Sequence, residues 1–160
     1  MVQPAAGAAA GRKPAPSHCA AGERVLYSCA FARGIGSLCG GAQTVHYRFG
    51  PQGKPQIDLA SLPDWSNVRT GEVRGQGNGY QRHVRLIRGR FHYLVYEGVN
   101  GDLTEAPGWR YSGIEVLEGT EGENALASLR CPHAAVGALG DALLERAEPE
   151  VTGGPFDMWF

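Results

Sequence analysis

The stretch YQRHVRLIRGRFHYLV, residues 80–95, determines the fold class of this chain. Apolar and polar side chains alternate on both sides of Gly89-Arg90, as they do in two half-buried antiparallel strands. Gly89 can adopt the positive φ that a tight turn between such strands requires. The stretch therefore predicts a β-hairpin.

The same alternation recurs along the chain and is interrupted by glycine. Of the 160 residues 24 are glycine, about twice the average frequency. Strands are predicted at 24–31, 44–49, 56–59, 80–88, 91–97, 112–118 and 125–129. Short strands separated by Gly, Pro and Asn indicate a mainly β fold, an antiparallel meander of about seven to eight strands that forms a sandwich or a partly closed barrel.

Length and composition indicate one folded domain. Residues 1–18 consist mostly of Ala, Gly and Pro and predict a flexible leader, so the disulfide-stapled β-domain is expected over 19–160. With 42% apolar and 19% charged residues the chain is not of the disordered class. No apolar run reaches about 18 residues, so we expect no membrane span.

The C-terminal part combines a helical pattern with an apolar tail. The spacing of the apolar residues predicts one short helix over 134–147, which Pro149 ends. The tail 153–160, GGPFDMWF, carries four large apolar side chains and is expected to dock on the sheet. A tail that binds a partner remains the alternative.

Four cysteines and no CxxC pair predict two disulfides. A hairpin turn centred on Gly34 would set Cys29 opposite Cys39, at a separation close to that of a disulfide. We therefore predict the pairs Cys29–Cys39 and Cys19–Cys131. Four reduced thiols in a cytosolic protein remain an alternative, as does a zinc site that uses the neighbouring residues His18 and His133.

Disulfides favour a compartment outside the cytoplasm. Residues 1–18 lack the Leu/Val-rich segment of a signal peptide. We therefore expect a mature periplasmic or secreted bacterial chain that carries an added first Met and whose signal peptide is absent from this sequence.

Charge is distributed unevenly. Residues 69–96 contain six arginines and one acidic residue, and residues 97–160 contain three basic and twelve acidic residues. The net charge of −1 argues against a nucleic-acid partner. In the predicted strand 80–88, alternation assigns Gln81, His83, Arg85 and Ile87 to the solvent face and Tyr80, Arg82, Val84 and Leu86 to the other. The exposed set, with Arg88 at the turn, is interpreted as a solvated face or as an anion-seeking patch.

Motifs of catalysis are absent from the sequence. It contains no GxSxG, no HExxH and no phosphate-binding GxxxxGK[ST] motif. Glu115 and Glu118 have an odd spacing on a predicted strand and so face opposite sides, which prevents joint acid–base work. The sequence therefore predicts a binding protein, with no enzymatic activity, no cofactor and no metal.

Three short segments carry a resemblance to a known family. Val25-Leu26-Tyr27-Ser28-Cys29, Gly77-Asn78-Gly79-Tyr80 and Ser128-Leu129-Arg130-Cys131 together resemble the bacterial periplasmic inhibitors of C-type lysozyme. The resemblance implies a Ser-Gly-x-x-Tyr loop that enters the lysozyme cleft and a disulfide that ties an early strand to the last one. Here Asn78-Gly79-Tyr80 occupies the place of that loop without its serine. The cysteine spacing is also similar to that of uncharacterised exported bacterial proteins.

We predict that the protein is an inhibitor or immunity-type protein against a peptidoglycan hydrolase or another envelope protein. A glycosidase cleft is lined by carboxylates, which a protruding polar loop with a cation can pair. We expect the loop 71–79 to enter the cleft with Arg74, Asn78 and Tyr80, while the cations of Arg82, Arg85 and Arg88 steer the encounter. Two alternatives stay open: an envelope module that binds anionic glycan or lipid headgroups, and an assembly protein that uses its aromatic tail.

Overall fold

The computed structural model describes residues 16–160 and contains two antiparallel-type sheets. The first sheet has the order β1-β2-β3-β4 and the second the order β10-β5-β6-β7-β8-β9, in which β10 is parallel to β5. The strands are β1 Arg24–Phe31, β2 Gly34–Gly40, β3 Val45–Gly50, β4 Ile57–Ala60, β5 Val68–Arg74, β6 Tyr80–Arg88, β7 Phe91–Val99, β8 Arg110–Glu118, β9 Asn124–Arg130 and β10 Glu148–Pro149. The predicted mainly β meander is confirmed.

The two sheets remain open and pack face to face as a sandwich. One buried apolar cluster takes residues from both sheets, and the rings of Tyr47 and Tyr93 meet across it at 5.1 Å. The hydroxyl groups of Tyr27 and Ser112 are 3.0 Å apart and join β1 to β8. Alternating side chains of β6 such as Val84 enter this core, as the period of two predicts.

A third layer covers the outer face of the six-stranded sheet. Phe156 packs with Leu94, Tyr96 and Leu117 in a second buried cluster, and Phe160 lies against it. The C-terminal segment is thus held against β6, β7 and β8. The face that the sequence assigns to solvent is covered: Gln81, His83 and Arg85 are buried, so that prediction is wrong.

The predicted helix 134–147 is also wrong. Only Ala142–Arg146 is helical, as a 3-10 turn capped by the side chain of Asp141. Gly137 has a φ of +85° and lies directly against the backbone of β1, where a helical turn would not fit. Val136 instead forms a β-bridge with Ser28. The buried Leu139 reaches the core from the non-helical segment before the 3-10 turn, and the buried Leu144 reaches it from the turn itself.

The disulfides are Cys19–Cys39 and Cys29–Cys131, with Cα–Cα distances of 5.3 and 6.1 Å. The predicted pairs are wrong because the β1–β2 turn is tighter than expected. Phe31 pairs with Gly34, which sets Cys29 opposite Gly36 rather than opposite Cys39. The described chain has no free cysteine, which excludes both the reduced-thiol and the zinc alternatives for these four residues.

The predicted leader lies mostly outside the described residues. Of its last three residues, His18 donates its backbone N–H to Ser37 Oγ at 3.0 Å, and Pro16 accepts a hydrogen bond from Ser28. Over residues 16–160, no helix has the length and apolar character needed to cross a lipid bilayer.

Candidate binding site at one end of the six-stranded sheet

Two loops leave the same end of the six-stranded sheet. Residues 75–79, here called the glycine loop, connect β5 to β6, and residues 100–109, called the long loop, connect β7 to β8. Within the glycine loop the N–H of Gly75 donates to the carbonyl of Gly79 at 2.8 Å, so the loop closes on itself. Residues 71–74, which the sequence assigns to a protruding loop, belong instead to the end of β5.

The glycine loop and the long loop are joined backbone to backbone. The N–H of Asp102 donates to the carbonyl of Gly77 at 2.7 Å. Gly77 has a φ of +65°, and a Cβ at this position would lie 2.9 Å from the nitrogen of Asp102. A Cβ on Gly79 would meet Gly101 N at 2.8 Å. Glycine is therefore needed for the close approach, which makes the two loops one structural unit.

Arg74, Asn78 and Tyr80 lie together at this end of the sheet, where the sequence analysis expects a partner cleft. Arg74 and Tyr80 are directly paired across β5 and β6. The guanidinium groups of Arg74 and Arg82 lie 5.8 and 5.1 Å from the centre of the Tyr80 ring. Asn78 donates from Nδ2 to Asp102 at 3.4 Å. The side chain of Arg74 is exposed and forms an ion pair with Glu72 of the same strand.

The other three predicted arginines do not share a surface. Arg82 lies beside Tyr80, whereas Arg85 is buried on the opposite face of β6 under the C-terminal segment. Arg88 is at the far end of the strand, about 27 Å from Tyr80 at the usual rise per residue, and donates to the carbonyl of Asp58 at 3.3 Å. The three arginines that are predicted to steer the encounter therefore lie in three separate environments.

Buried ionic contacts attach the C-terminal segment to the outer face of the sheet. Arg85 and His83 both hydrogen-bond to the carboxylate of Glu150, at 2.7–2.8 Å. Burial raises the pKa of Glu150, but the hydrogen bonds and charges of Arg85 and His83 outweigh it and lower the pKa to about 2. Arg85 is thus a structural residue whose charge is satisfied inside the protein.

His92 extends the same network as a neutral ring. Arg85 donates from Nη1 to Nδ1 of His92 at 2.8 Å, which leaves Nε2 to donate to the carbonyl of Gly119 at 2.7 Å. Burial is the main cause that lowers the pKa of His92. The neutral ring and its two hydrogen bonds tie β7 to the turn between β8 and β9.

Large apolar side chains are exposed around the paired loops. Leu103 and Trp109 of the long loop are 75% and 65% exposed, and Trp159 is 47% exposed with its ring beside Gly75. Leu103 and Trp109 are not among the predicted site residues. The one sequence signal that they carry is their position among Gly, Asp and Pro between two predicted strands. Exposed Trp next to Arg is the composition that carries most binding energy in protein interfaces.

A small cavity of about 110 Å³ opens beside the loops, between β7, β8 and residues 133–138. The carboxyl group of Glu97 lines this cavity and accepts a hydrogen bond from the N–H of Leu139 at 2.9 Å. Burial raises the pKa of Glu97. Arg82 Nε is 3.9 Å from Glu97 Oε2 and has no hydrogen-bond partner among the described residues. Among the described residues Glu97 is the one carboxyl group that lines the cavity, whereas a glycosidase site would require two.

A metal centre is not formed by the described residues. The one group of potential ligands consists of Cys29, Cys131 and His133, and both sulfur atoms are joined in a disulfide. Comparison with known proteins gives no match to any family model, curated protein or solved structure.

Proposed function

We propose that the protein is an exported, non-catalytic inhibitor of a lysozyme-like peptidoglycan hydrolase that blocks the cleft of the enzyme with the paired loops. The observation that carries the proposal is the joined loop unit, which presents Arg74, Trp109 and Leu103 at one exposed end of a disulfide-bonded sheet. Asn78 belongs to the glycine loop, and Tyr80 is the first residue of β6, paired with Arg74.

Arg74 would supply the electrostatic contact with the enzyme. A glycosidase cleft contains two carboxyl groups, and a guanidinium can pair with a carboxylate through two hydrogen bonds. Arg74 is exposed, and its present partner Glu72 is a neighbour on the same strand. An exposed ion pair of this kind contributes only about 0–1 kcal/mol, so a carboxylate of the partner can replace Glu72 at little cost.

The rigidity of the loops supports binding by insertion. Hydrogen bonds within the glycine loop and from Asp102 to Gly77 fix the loop unit before a partner arrives. A preordered loop loses less conformational entropy on binding than a mobile one, which increases affinity for the same contacts.

The disulfides support the proposed compartment and agree with the resemblance to periplasmic lysozyme inhibitors. Disulfides persist in the periplasm and outside the cell and are rare in cytosolic proteins. Cys29 lies in β1 and Cys131 directly follows β9, so their bond ties an early strand to the end of a late one. The resemblance implies a bond from an early strand to the last one; here the bond reaches the end of β9, which only the two-residue strand β10 follows.

The test is an inhibition assay with the purified, oxidised protein. Lysozymes of different structural classes and peptidoglycan amidases would hydrolyse a peptidoglycan suspension at increasing concentrations of the protein. We expect dose-dependent slowing of at least one lysozyme. Arg74→Glu should raise the inhibition constant at least about tenfold, the loss of one strong charge-assisted contact.

Arg90→Glu is the matched control, because Arg90 is exposed in the β6–β7 turn at the opposite end of the six-stranded sheet. It should leave inhibition within about twofold of the wild type. If no hydrolase is slowed, the proposed function is wrong. Equal effects of the two substitutions would remove the loop unit as the inhibitory surface.

A further inference from the structure

Two of the four asparagines in the chain are followed by glycine, and both belong to the loop unit. Asn78-Gly79 ends the glycine loop, and Asn100-Gly101 begins the long loop. The two dipeptides are in contact, because a Cβ on Gly79 would lie 2.8 Å from the nitrogen of Gly101. Asparagine before glycine is the pair in which the side chain reacts most readily with the following backbone nitrogen, since glycine has no Cβ to hinder the approach.

Deamidation of such an asparagine requires only water. At Asn78, the nitrogen of Gly79 would lose its proton and attack Cγ, and Nδ2 would leave as ammonia, so that a cyclic imide forms. Water then opens the imide. Breaking the bond from the Gly79 nitrogen to Cγ gives aspartate, whereas breaking its bond to the backbone carbonyl carbon gives isoaspartate, in which the Cβ joins the main chain. One amide becomes one carboxylate, and no electron is transferred.

Asn78 has the freedom that this reaction needs. Its side chain is exposed, and its hydrogen bond to Asp102 is long, at 3.4 Å. The attacking nitrogen, that of Gly79, is held by an equally long hydrogen bond to the carbonyl of Gln76. Hydrogen bonds of this length are weak, so neither reacting group is fixed in place.

Asn100 is held much more firmly. Its N–H donates to the carbonyl of Trp109 at 2.9 Å, its carbonyl accepts from the N–H of Gly108 at 3.0 Å, and its Nδ2 donates to the carbonyl of Ala106 at 3.2 Å. The side chain is half-buried, and Gly101 is buried. Asn100 has to release its side-chain bond and shift this backbone before its Cγ can reach the nitrogen of Gly101.

We propose that Asn78 is a site of spontaneous deamidation in the folded protein, and that its conversion separates the glycine loop from the long loop. The new carboxylate faces that of Asp102, so an attractive contact becomes a repulsive one. In the isoaspartate form the main chain between Gly77 and Gly79 is one carbon longer, which disrupts the hydrogen bond from Gly75 to Gly79 that closes the glycine loop. Separated loops would also inhibit less well, and this consequence alone rests on the proposed function.

Peptide mapping by mass spectrometry tests the site. The oxidised protein is incubated at mildly alkaline pH, where the backbone nitrogen loses its proton more readily. We expect Asn78 to convert at least about tenfold faster than Asn100 in the folded protein. The reduced chain unfolded in urea is the matched control, in which both asparagines should convert at similar rates because both precede glycine. A smaller ratio in the folded protein would overturn the proposed site.

Amide exchange of Asp102, whose N–H donates to Gly77, tests the separation of the loops. Asn78→Asp adds the charge without lengthening the main chain and should accelerate this exchange about threefold. Asp102→Asn removes the opposing carboxylate and keeps the backbone N–H, so Asn78→Asp should have no effect in that background.

The incubated wild type, which contains isoaspartate, should exchange faster than Asn78→Asp. Asn78→Ser, which has no amide to lose at this position, should exchange equally before and after the same incubation. Converted protein that exchanges like unconverted protein would overturn the separation of the loops. Neither measurement uses a hydrolase, so either part of the proposal can fail while the inhibition assay succeeds.

Discussion

Arg85 and Glu150 are 65 residues apart in the chain and form a two-point ion pair, Nε–Oε2 at 2.8 Å and Nη2–Oε1 at 2.7 Å. Their side chains are only 8% and 6% exposed. The guanidinium also lies 3.7 Å from the centre of the Phe156 ring. This pair holds the C-terminal segment on the sheet. The segment therefore buries the face of β6 whose polar side chains predict exposure to solvent.

Removing the charge of Glu150 should destabilise the fold. Glu150→Gln leaves Arg85 buried without an anionic partner, and we expect the free energy of unfolding to fall by about 3–5 kcal/mol. Glu148→Gln is the control, because Glu148 is exposed and lies 3.7 Å from Arg69. Its effect should stay below about 1 kcal/mol. Urea unfolding followed by tryptophan fluorescence measures both, and equal effects would show that the buried pair contributes nothing specific.

Stability should decrease in acid. The pKa of Glu150 is about 2 in the folded protein and near 4.5 in the unfolded chain, so the unfolded chain takes up the proton first as the pH falls. The contribution of Glu150 is complete above pH 4.5 and is lost between 4.5 and about 2. Protonation of His92 also lowers the free energy of unfolding as the pH falls below 6.5, because burial lowers the pKa of His92 in the folded protein. Urea unfolding between pH 7 and pH 2 measures this loss of stability. A Glu150→Gln variant with an unchanged slope below pH 4.5 would contradict it.

Phe156 should contribute more to stability than Trp159, although the two are three residues apart. Phe156 is buried and its ring packs on His92 at 4.9 Å, whereas Trp159 is half exposed. Phe156→Ala should lower the free energy of unfolding by about 3–5 kcal/mol, and Trp159→Ala by less than about 1 kcal/mol. Thermal and urea unfolding of both variants decide whether the tail is part of the fold. A Phe156→Ala variant as stable as the wild type would show that it is not.

Gly77→Ala should separate the two loops. The new methyl would press on Asp102 and break the hydrogen bond from Asp102 to Gly77, in addition to the strain at a positive φ. Gly53→Ala is the matched control, since Gly53 has a φ of +75° and nothing within 4 Å of the added Cβ. Amide exchange of residues 100–109 should accelerate in Gly77→Ala alone. Identical exchange in the two variants would mean that the loops do not stabilise each other.

Local patterns predicted the strands well where side-chain polarity alternated. The bounds of β1 and β6 agree with the predicted ranges 24–31 and 80–88, and the turn at Gly89 is where the alternation places it. β5 was missed, because the charged residues and the central glycine of VRTGEVR obscure its alternation. The helix over 134–147 was predicted from apolar spacing, but a non-helical segment that ends in a single 3-10 turn buries Leu139 and Leu144 as well.

The candidate site was predictable only in part. Arg74, Asn78 and Tyr80 are close in sequence, so a turn between two strands necessarily brings them together. Leu103 and Trp109 join them because the long loop follows β7, which is the neighbour of β6 in the sheet. The proximity of the two loops therefore depends on the order of the strands in the sheet. The residue pattern of a single segment does not predict that order.

The β character, the central hairpin and the presence of two disulfides follow from the amino-acid sequence, because alternation, turn chemistry and an even cysteine count are local or compositional properties. The pairing of the four sulfur atoms and the burial of the second face of β6 depend on the folded arrangement. Those outcomes depend on contacts across long separations, 102 residues for Cys29–Cys131 and 65 for Arg85–Glu150. The alternation along one strand predicts the polarity of each of its faces. Which segment covers a face depends on how the whole chain packs.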